Sequence, residues 1–427
     1  MQHTVSRLLV MPLLAVTMAA DWPRFRGPGG LGVSAERNLP TEWSSTRNVV
    51  WKANLPGPGT SSPVVVADRV YVTAYSGYGM SVEAPGDVAQ LVRHVVCLDR
   101  ATGRIVWQKP FPAGVKESEY APGNSSWHGY ASSTPVADDA HLYVFFGASG
   151  VFCLRLGDGE VVWKAGVGNA VTGWGSGNSP VLHENLLLVN AAVESGRLVA
   201  LDKATGAEVW QADVGRGARN TPNLVPLPAG GVELVFSLPG EPQGRIVGLD
   251  PRTGVELWSA RGIRDGGYVC PSVVAHDGVV YAIGGRKNTA VAVRAGGRGE
   301  VSETHVLWTV AKGSNVASPA YHEGRLYWMH EKQGTFVCLD AATGDVVFEE
   351  RVEPRPGIVY SSVTVADGKV FATSQHDGTF VFEAGPTFRP LAHNTLADGQ
   401  RANASLAVDR GRLLLRDDGA IWCLGTP

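Results

Sequence analysis

The sequence has no surplus of charge of either sign. Its 427 residues contain 37 Lys and Arg against 40 Asp and Glu, a formal net charge of −3. Charged residues make up 18% of the chain, below the roughly 25% typical of soluble proteins. Proteins that bind nucleic acid neutralise phosphates with a basic patch, and this composition supplies no such excess. We therefore expect no nucleic acid among the partners.

The sequence also lacks an apolar run long enough to cross a membrane. The apolar stretch at residues 8–18 is short of the roughly 20 residues that a transmembrane helix needs, and no later segment is long enough either. It follows His3 and Arg7 and precedes Ala19 and Ala20, a pattern typical of a secretory signal peptide. We predict a signal peptide at residues 1–20 and an exported, soluble chain, periplasmic or extracellular; the alternative is a buried N-terminal strand or helix.

Cysteine is scarce and odd in number, which argues against a disulfide framework. Four of the five precede Leu at the same point of a repeat: Cys97, Cys153, Cys338 and Cys423. Other copies of the repeat have Ala200 or Gly248 there, so the position is predicted to be small and buried. Cys270 is the thiol expected to be exposed.

One phrase recurs along the chain. The copies are CLDRATGRIVWQ, CLRLGDGEVVWK, ALDKATGAEVWQ, GLDPRTGVELWS and CLDAATGDVVFE, with a divergent copy that ends at Trp308. Each copy predicts two strands joined by a tight turn, because Gly supplies the positive φ of the turn and Asp bonds its backbone. Each second strand ends in a large aromatic residue.

A second phrase precedes each copy and opens on a small hydroxyl residue. These eight anchors are Ser62, Thr134, Ser179, Thr221, Ser272, Ser318, Ser362 and Ser405. After a first spacing of 72 residues they are 42 to 51 residues apart, the period of four-stranded propeller blades. We predict an all-β, eight-bladed propeller at residues 48–427, preceded by a lead segment at residues 21–47. The strand around Trp51 is predicted to complete the last blade and so remove the exposed edges.

The AxDxxTGxxxW phrase and the opening DWPRFRGP resemble the pyrroloquinoline-quinone-like (PQQ-like) repeat propellers, in particular exported bacterial members similar to the outer-membrane assembly factor BamB. The resemblance covers nearly all of the mature chain. It implies that the closing aromatic residues dock between neighbouring blades: Trp51, Trp107, Trp163, Trp210, Trp258, Trp308 and Phe348. Fold analogy by itself assigns no function.

Quinoprotein dehydrogenases of the same family bind the quinone and Ca²⁺ in the channel, commonly beside a vicinal Cys pair, and this sequence has no such pair. Residues 27–32 fit GxGxxG but open no helix, and Leu326 and Gly334 stand where a zinc protease motif needs its second His. We expect no catalytic residue, metal site or cofactor. The alternative is a short-form PQQ-dependent dehydrogenase with quinone and calcium in its channel.

Loops on one face are the predicted ligand site. Two insertions in the first blade, residues 75–94 and 109–131, are rich in aromatic residues with polar tips, which are frequent in binding surfaces. Other blades contribute polar residues around the channel. The candidates are Tyr75, Tyr78, Tyr120, Trp127, His128, Tyr130, Trp174, Asn178, Arg219, Asn220, Tyr268, Arg286, Asn315, His330, Tyr360, His376, Arg401 and Arg416. Alternatively, the rings only pack the loops and the polar groups only bind water.

The first functional hypothesis is an exported, non-catalytic propeller that acts as a binding or assembly scaffold for a protein or polymer at the cell envelope. The dehydrogenase is the second. A third is carbohydrate recognition by stacking on Trp127 and Trp174.

Overall fold

The structure, a computed structural model, describes residues 21–123, 125–396 and 399–426. The predicted signal peptide lies outside the described residues. Within them, 34 strands form eight sheets, and each sheet is one blade of a propeller. Helical structure in the described chain consists of short segments: Pro28–Gly30, Val88–Gln90, Ser125–Trp127, Gly147–Ser149 and Ser302–His305. No helix among the described residues has the length and apolar character needed to span a membrane.

Two strands precede the first complete blade, β1 (Val33–Ser34) and β2 (Val49–Asn54). Blade 1 comprises β3 (Val64–Val66), β4 (Arg69–Ser76), β5 (Val92–Asp99) and β6 (Ile105–Pro112). Blade 2 comprises β7 (Val136–Ala137), β8 (His141–Phe145), β9 (Val151–Arg155) and β10 (Val161–Ala165). Blade 3 comprises β11 (Val181–His183), β12 (Leu186–Ala191), β13 (Arg197–Asp202) and β14 (Glu208–Asp213).

The remaining blades follow in chain order. Blade 4 comprises β15 (Asn223–Pro226), β16 (Val232–Leu238), β17 (Gly240–Leu249) and β18 (Glu256–Gly266). Blade 5 comprises β19 (Val274–His276), β20 (Val279–Gly284), β21 (Thr289–Arg294) and β23 (Val306–Val310), with the short β22 (Gly299–Glu300) in its last connection. Blade 6 comprises β24 (Ala320–His322), β25 (Arg325–Met329), β26 (Thr335–Asp340) and β27 (Val346–Arg351). Blade 7 comprises β28 (Thr364–Ala366), β29 (Lys369–Thr373), β30 (Thr379–Glu383) and β31 (Pro390–Asn394), and blade 8 comprises β32 (Ala407–Asp409), β33 (Arg412–Arg416) and β34 (Ala420–Leu424).

The eighth blade takes its outer strand from the start of the chain. Strand β2 pairs antiparallel with β34, which places Trp51 opposite Cys423. The predicted eight blades and the closure by an N-terminal strand are therefore confirmed. Two blades depart from the predicted four strands, because β1 adds in parallel to β28 of blade 7 and β22 adds in parallel to β18 of blade 4.

The closing tryptophans bind the turn of the next blade. The indole N–H of Trp107 in blade 1 donates to the carbonyl of Leu156 in blade 2 over 3.1 Å. Gly159 of that turn lies so close to the indole that a Cβ there would approach it to 2.8 Å. Trp51, Trp163, Trp210 and Trp308 bond the next turn in the same way. The glycine-containing turn and the aromatic residue of the repeat are thus two halves of one junction.

The junction between blades 4 and 5 is built differently. The indole of Trp258 donates to the carboxylate of Glu233 in its own blade over 2.7 Å. The same carboxylate accepts the backbone N–H of Gly296 from blade 5. Blade 5 carries the divergent copy of the repeat. Phe348 has no N–H to donate and packs against Phe336 and Phe388 instead.

The cores lie between adjacent sheets. One cluster joins blades 1 and 2 through residues such as Val95, Leu142 and Phe152, and similar clusters follow around the ring. Cys97, Cys153, Cys338 and Cys423 are buried in these layers and unpaired, whereas Cys270 is half-buried. The predicted packing role of the four repeat cysteines matches their surroundings.

The lead segment crosses one end of the axial channel. Trp22 exchanges backbone hydrogen bonds with Val65 of blade 1, and the Pro23 carbonyl accepts from Ala137 of blade 2. Farther along, Arg26 donates to the Pro319 carbonyl of blade 6 before β1 joins blade 7. All of these blade residues follow the anchors in sequence, whereas the mouth loops precede them. The lead segment and the loops therefore lie at opposite ends of the channel.

Candidate functional site: the axial cavity

The two first-blade insertions pack against each other. Tyr75, Tyr78 and Tyr130 are buried in one cluster with Leu91, and Tyr120 packs at its side. The Tyr78 hydroxyl accepts the backbone N–H of Tyr120 over 2.9 Å, so the first insertion is bonded directly to the second. This cluster makes the base of the insertions rigid.

The second insertion reaches across the mouth of the channel. Its Trp127 lies 6.0 Å from Trp174 of the blade 3 loop and 5.7 Å from Tyr360 of the blade 7 loop, measured between ring centroids. The Trp127 carbonyl accepts from the Asn403 side chain of blade 8 over 2.6 Å. Aromatic residues from separate blades therefore meet at one place, and Trp174 remains 40% exposed.

Below these aromatic residues is a cavity of about 730 Å³. Its wall contains all eight anchors, which we call the anchor ring: Ser62, Thr134, Ser179, Thr221, Ser272, Ser318, Ser362 and Ser405. Each anchor hydroxyl accepts the backbone N–H of the preceding anchor, and Ser62 accepts from Ser405, which closes the circle. Phe25 of the lead segment also lines the cavity, which places it at the closed end.

Cations outnumber carboxylates on the described cavity wall. Arg216, Arg219 and Lys332 line it, against the single carboxylate Glu331. Arg219 donates to the Gly175 carbonyl and to the Thr172 hydroxyl, and it thereby holds the loop that carries Trp174. Glu331 accepts from the Ser314 hydroxyl and the Asn315 backbone.

Two potentially reactive groups in the cavity are held in their neutral forms. Burial lowers the pKa of His128 to about 4, assisted by the positive charges of Arg401 and Arg219. Its Nδ1 lies 3.0 Å from the Ser132 hydroxyl. Burial also raises the pKa of the Cys270 thiol to about 11, so it is not a thiolate at neutral pH.

A buried carboxyl supports the blade 3 loop from beneath. Glu194 is 3% exposed and bonds the Ser176 hydroxyl, two residues beyond Trp174. Burial raises its pKa to about 7. The carboxyl therefore changes charge near neutral pH.

The predicted binding residues fall into three groups. Seven line the cavity: Trp127, His128, Trp174, Arg219, Tyr268, Asn315 and Tyr360. The tyrosines at 75, 78, 120 and 130 belong to the insertion cluster described above. Their role in binding a ligand stays a prediction, but their rings are used for packing.

The other predicted polar residues are bonded around the cavity. Three of them are buried beneath the mouth, and each donates a hydrogen bond to a backbone carbonyl. Asn178 donates to Asn190, Asn220 to Ser237, and Arg416 to Ser61. Nearer the mouth, Arg401 pairs with Asp418, Arg286 lies over the Tyr268 ring, and His330 accepts the Lys332 backbone N–H. His376 is exposed.

Sequence reasoning missed several wall residues. Cys270, Glu331, Lys332, Arg216 and Phe25 line the cavity but were not candidates. The sequence pattern places the anchors at the starts of strands, and the hydroxyl that recurs in every blade is the feature that indicates a polar ring. Phe25 had no signal, because nothing local shows that the lead segment crosses the channel.

The wall residues do not fit a quinone with calcium. Calcium takes six to eight oxygen ligands, usually with several carboxylates, and Glu331 is the lone carboxylate on the described wall. No group of three or more His, Cys, Asp or Glu placed to hold a metal occurs among the described residues. We derive no chemistry through such a cofactor.

Comparison with known proteins gives one family, one curated relative and several structures that share the fold. Residues 93–305 and 299–388 match the sequence profile of the family described as outer membrane protein assembly factor BamB. A curated relative, the tetrathionate hydrolase of Acidithiobacillus ferrooxidans, is 25% identical over 366 residues. The match covers 78% of this chain and 66% of that protein, so the chain spans just under two thirds of its relative.

Solved structures share the fold at low identity. BamB from Moraxella catarrhalis superposes with a TM-score of 0.58 at 15% identity, covering 88% of this chain and 98% of that chain. A europium-containing methanol dehydrogenase gives a TM-score of 0.62 at 14% identity, covering 95% of this chain and 91% of that chain. Both similarities are to the propeller fold alone.

Proposed function

The chain belongs to the PQQ-like repeat family of the outer membrane protein assembly factor BamB, and from this we propose that it is an exported, non-catalytic scaffold. It binds a protein or polymer partner at the cell envelope with its mouth loops. The observation that carries the proposal is the rigid platform at the mouth, where Trp127, Trp174 and Tyr360 from three blades meet. Rigid aromatic residues at a loop-rich surface are common anchors for partners.

Exposed apolar side chains on the two first-blade insertions support a macromolecular partner. Met80, Val82, Val88 and Val115 are 39 to 52% exposed and lie in the two first-blade insertions. Exposed apolar groups on a well-packed base typically mark an interaction surface. We expect the partner to cover them together with Trp174.

Partner capture with two matched variants tests the proposal. The mouth variant combines Met80→Ser, Val82→Ser and Trp174→Ala, and the control combines Val161→Ser, Val162→Ser and Val209→Ser on outer strands. All six side chains are 40 to 52% exposed. Cross-linking in native envelope fractions is expected to give a partner that the mouth variant loses and the control keeps. Equal capture by all three proteins contradicts the proposal, as does an unprocessed N-terminus in the cytoplasmic fraction.

A second candidate is a hydrolase, favoured by the match to tetrathionate hydrolase. On the described cavity wall, the Ser132 hydroxyl lies 3.0 Å from Nδ1 of His128, which is a pairing suited to such chemistry. Incubation with tetrathionate, followed by its disappearance, tests this function. Loss of turnover in both Ser132→Ala and His128→Gln supports it, and the absence of turnover in the parent protein excludes tetrathionate as the substrate.

A further inference from the structure

The anchor ring leaves eight hydroxyl protons without a described acceptor. Each anchor hydroxyl uses a lone pair to accept a neighbour's N–H, as set out above. Among the described residues, no bond is formed in which any of these hydroxyls donates to a protein group. A hydroxyl hydrogen rotates to suit its partner, so the ring presents up to eight donors to the cavity. Donors around a cavity suit a ligand rich in acceptors.

The charges on the cavity wall predict the sign of that ligand's charge. With His128 neutral, three cations and one carboxylate leave a charge of about two positive on the described wall. The side chains of Lys332 and Arg216 have no hydrogen-bonding or ionic partner among the described residues. Both cations are therefore available to a ligand.

The closed end of the cavity adds positive potential. Phe25, which lines the cavity, is flanked by Arg24 and Arg26, which are 9% and 1% exposed. Within the described parts of the chain, neither arginine has a carboxylate within ion-pair distance. Burial lowers the pKa of Arg26 to about 9, with a smaller contribution from Arg24, yet both remain charged at neutral pH. Uncompensated buried charges are costly, and a nearby anion reduces that cost.

We propose that the axial cavity binds a small oxyanion of charge two minus, of the sulfate, thiosulfate or hydrogen phosphate type, between the anchor ring and the cations Lys332, Arg216 and Arg219. A neutral sugar satisfies the hydroxyl donors but gains nothing from the cations, of which Lys332 and Arg216 are exposed to solvent. A calcium-type cation is repelled by the same charge. The site lies below the mouth platform, so the inference is independent of the macromolecular partner proposed above.

Titration calorimetry with sodium sulfate, thiosulfate and phosphate at constant ionic strength in chloride tests this site. The double variant Lys332→Gln, Arg216→Gln removes two wall cations that have no described structural partner. We expect it to bind the oxyanions at least tenfold more weakly than the parent. The control, Lys116→Gln with Arg104→Gln, removes the same charge from exposed positions outside the cavity and should keep the parent affinity. Equal weakening in both variants, or no heat in the parent with any of the three ions, overturns the inference.

The pKa of His128 gives a second readout of anion binding, which a purely structural effect of the substitutions would not change. Because Arg219 and Arg401 hold its pKa down, an anion in the cavity offsets their charge and should raise that pKa. NMR titration of the His128 ring in chloride and in saturating sulfate measures the change. A rise of at least half a unit, absent with a neutral disaccharide, supports the site. An unchanged pKa in saturating sulfate places any bound ion elsewhere and overturns it. Neither measurement involves turnover or partner capture, so failure here leaves the proposed function standing.

Discussion

The same residue type serves two different purposes at the periphery and at the mouth of this propeller. Trp163 is 9% exposed and bonds the turn of the next blade, an arrangement repeated at five junctions. Trp174 is 40% exposed and meets Trp127 through a contact that occurs once. Peripheral contacts join neighbouring repeats, whereas mouth contacts also join blades far apart in sequence, as Trp127 does with Tyr360 and Asn403. The periphery therefore supplies stability, and recognition is the role that we propose for the mouth.

The largest expected effect separates these two tryptophans. Trp163→Ala leaves a cavity between blades 2 and 3 and an unbonded carbonyl at Lys203, so we expect a loss of about 3–5 kcal/mol in the free energy of unfolding. Trp174→Ala should cost less than about 1 kcal/mol, since much of the ring faces solvent. Urea unfolding of the two variants measures both values. Similar losses in the two would mean that the mouth platform is part of the core.

A pH dependence should also distinguish the mouth from the periphery. Because the pKa of Glu194 is raised to about 7 from an unfolded value near 4.5, its contribution to stability is complete below pH 4.5 and lost as the pH rises through 7. This loss amounts to about 3 kcal/mol. Glu194→Gln stays neutral, so relative to the parent it should gain about that amount between pH 4.5 and pH 8. Trp163→Ala is the control. The carboxyl near its junction, Asp138, pairs with Lys203 over 3.1 Å and has a pKa below its usual value, so it stays ionised between pH 4.5 and pH 8. The difference between this variant and the parent should therefore stay constant.

Two glycines with similar backbone angles test how much the packing against a peripheral tryptophan contributes to stability. Gly206 has φ of +74° and an added Cβ would lie 2.6 Å from the Trp163 ring, whereas Gly215 has φ of +71° and open space around it. Gly206→Ala should lose about 2–3 kcal/mol through strain and overpacking, and Gly215→Ala about 1 kcal/mol through strain alone. Thermal unfolding of both variants checks the difference. Equal losses would show that the indole shifts without cost.

The smallest expected effect concerns the anchor ring. Ser318→Ala removes the acceptor for the Ser272 N–H and should cost about 1 kcal/mol, because water in the cavity can replace part of the bond. Ser318→Thr retains the hydroxyl, as Thr134 and Thr221 do elsewhere in the ring, and should be close to the parent. Urea unfolding of the two variants measures the difference. A larger loss in the Thr variant would point to crowding instead of the lost bond.

Repetition made the fold predictable. Eight anchors and seven aromatic residues at regular spacing are sufficient to count blades, and Trp51 ahead of the first anchor indicated the closing strand. The fifth strands of blades 4 and 7 were not predictable, because β1 and β22 are two-residue strands without alternation. Their pairing depends on where longer connections happen to pass.

The site was predictable only where a residue type carried its own signal. Trp127, His128 and Trp174 were found because aromatic residues with polar tips are unusual in long loops. Tyr75 and Tyr130 carry the same signal but face each other 5.4 Å apart in a buried cluster. Lys332 and Arg216 resemble ordinary surface cations in sequence, and only their position on the wall distinguishes them.

By itself, the sequence determined the repeat, the number of blades and the closure, because turns and alternating strands depend on neighbours a few residues apart. The tertiary structure decided that the lead segment crosses the channel, that the anchor hydroxyls form one closed ring, and which cations face the cavity. These features depend on the radius and direction of a closed circle of sheets. Such a circle brings together residues hundreds of positions apart, and no local sequence pattern predicts those contacts.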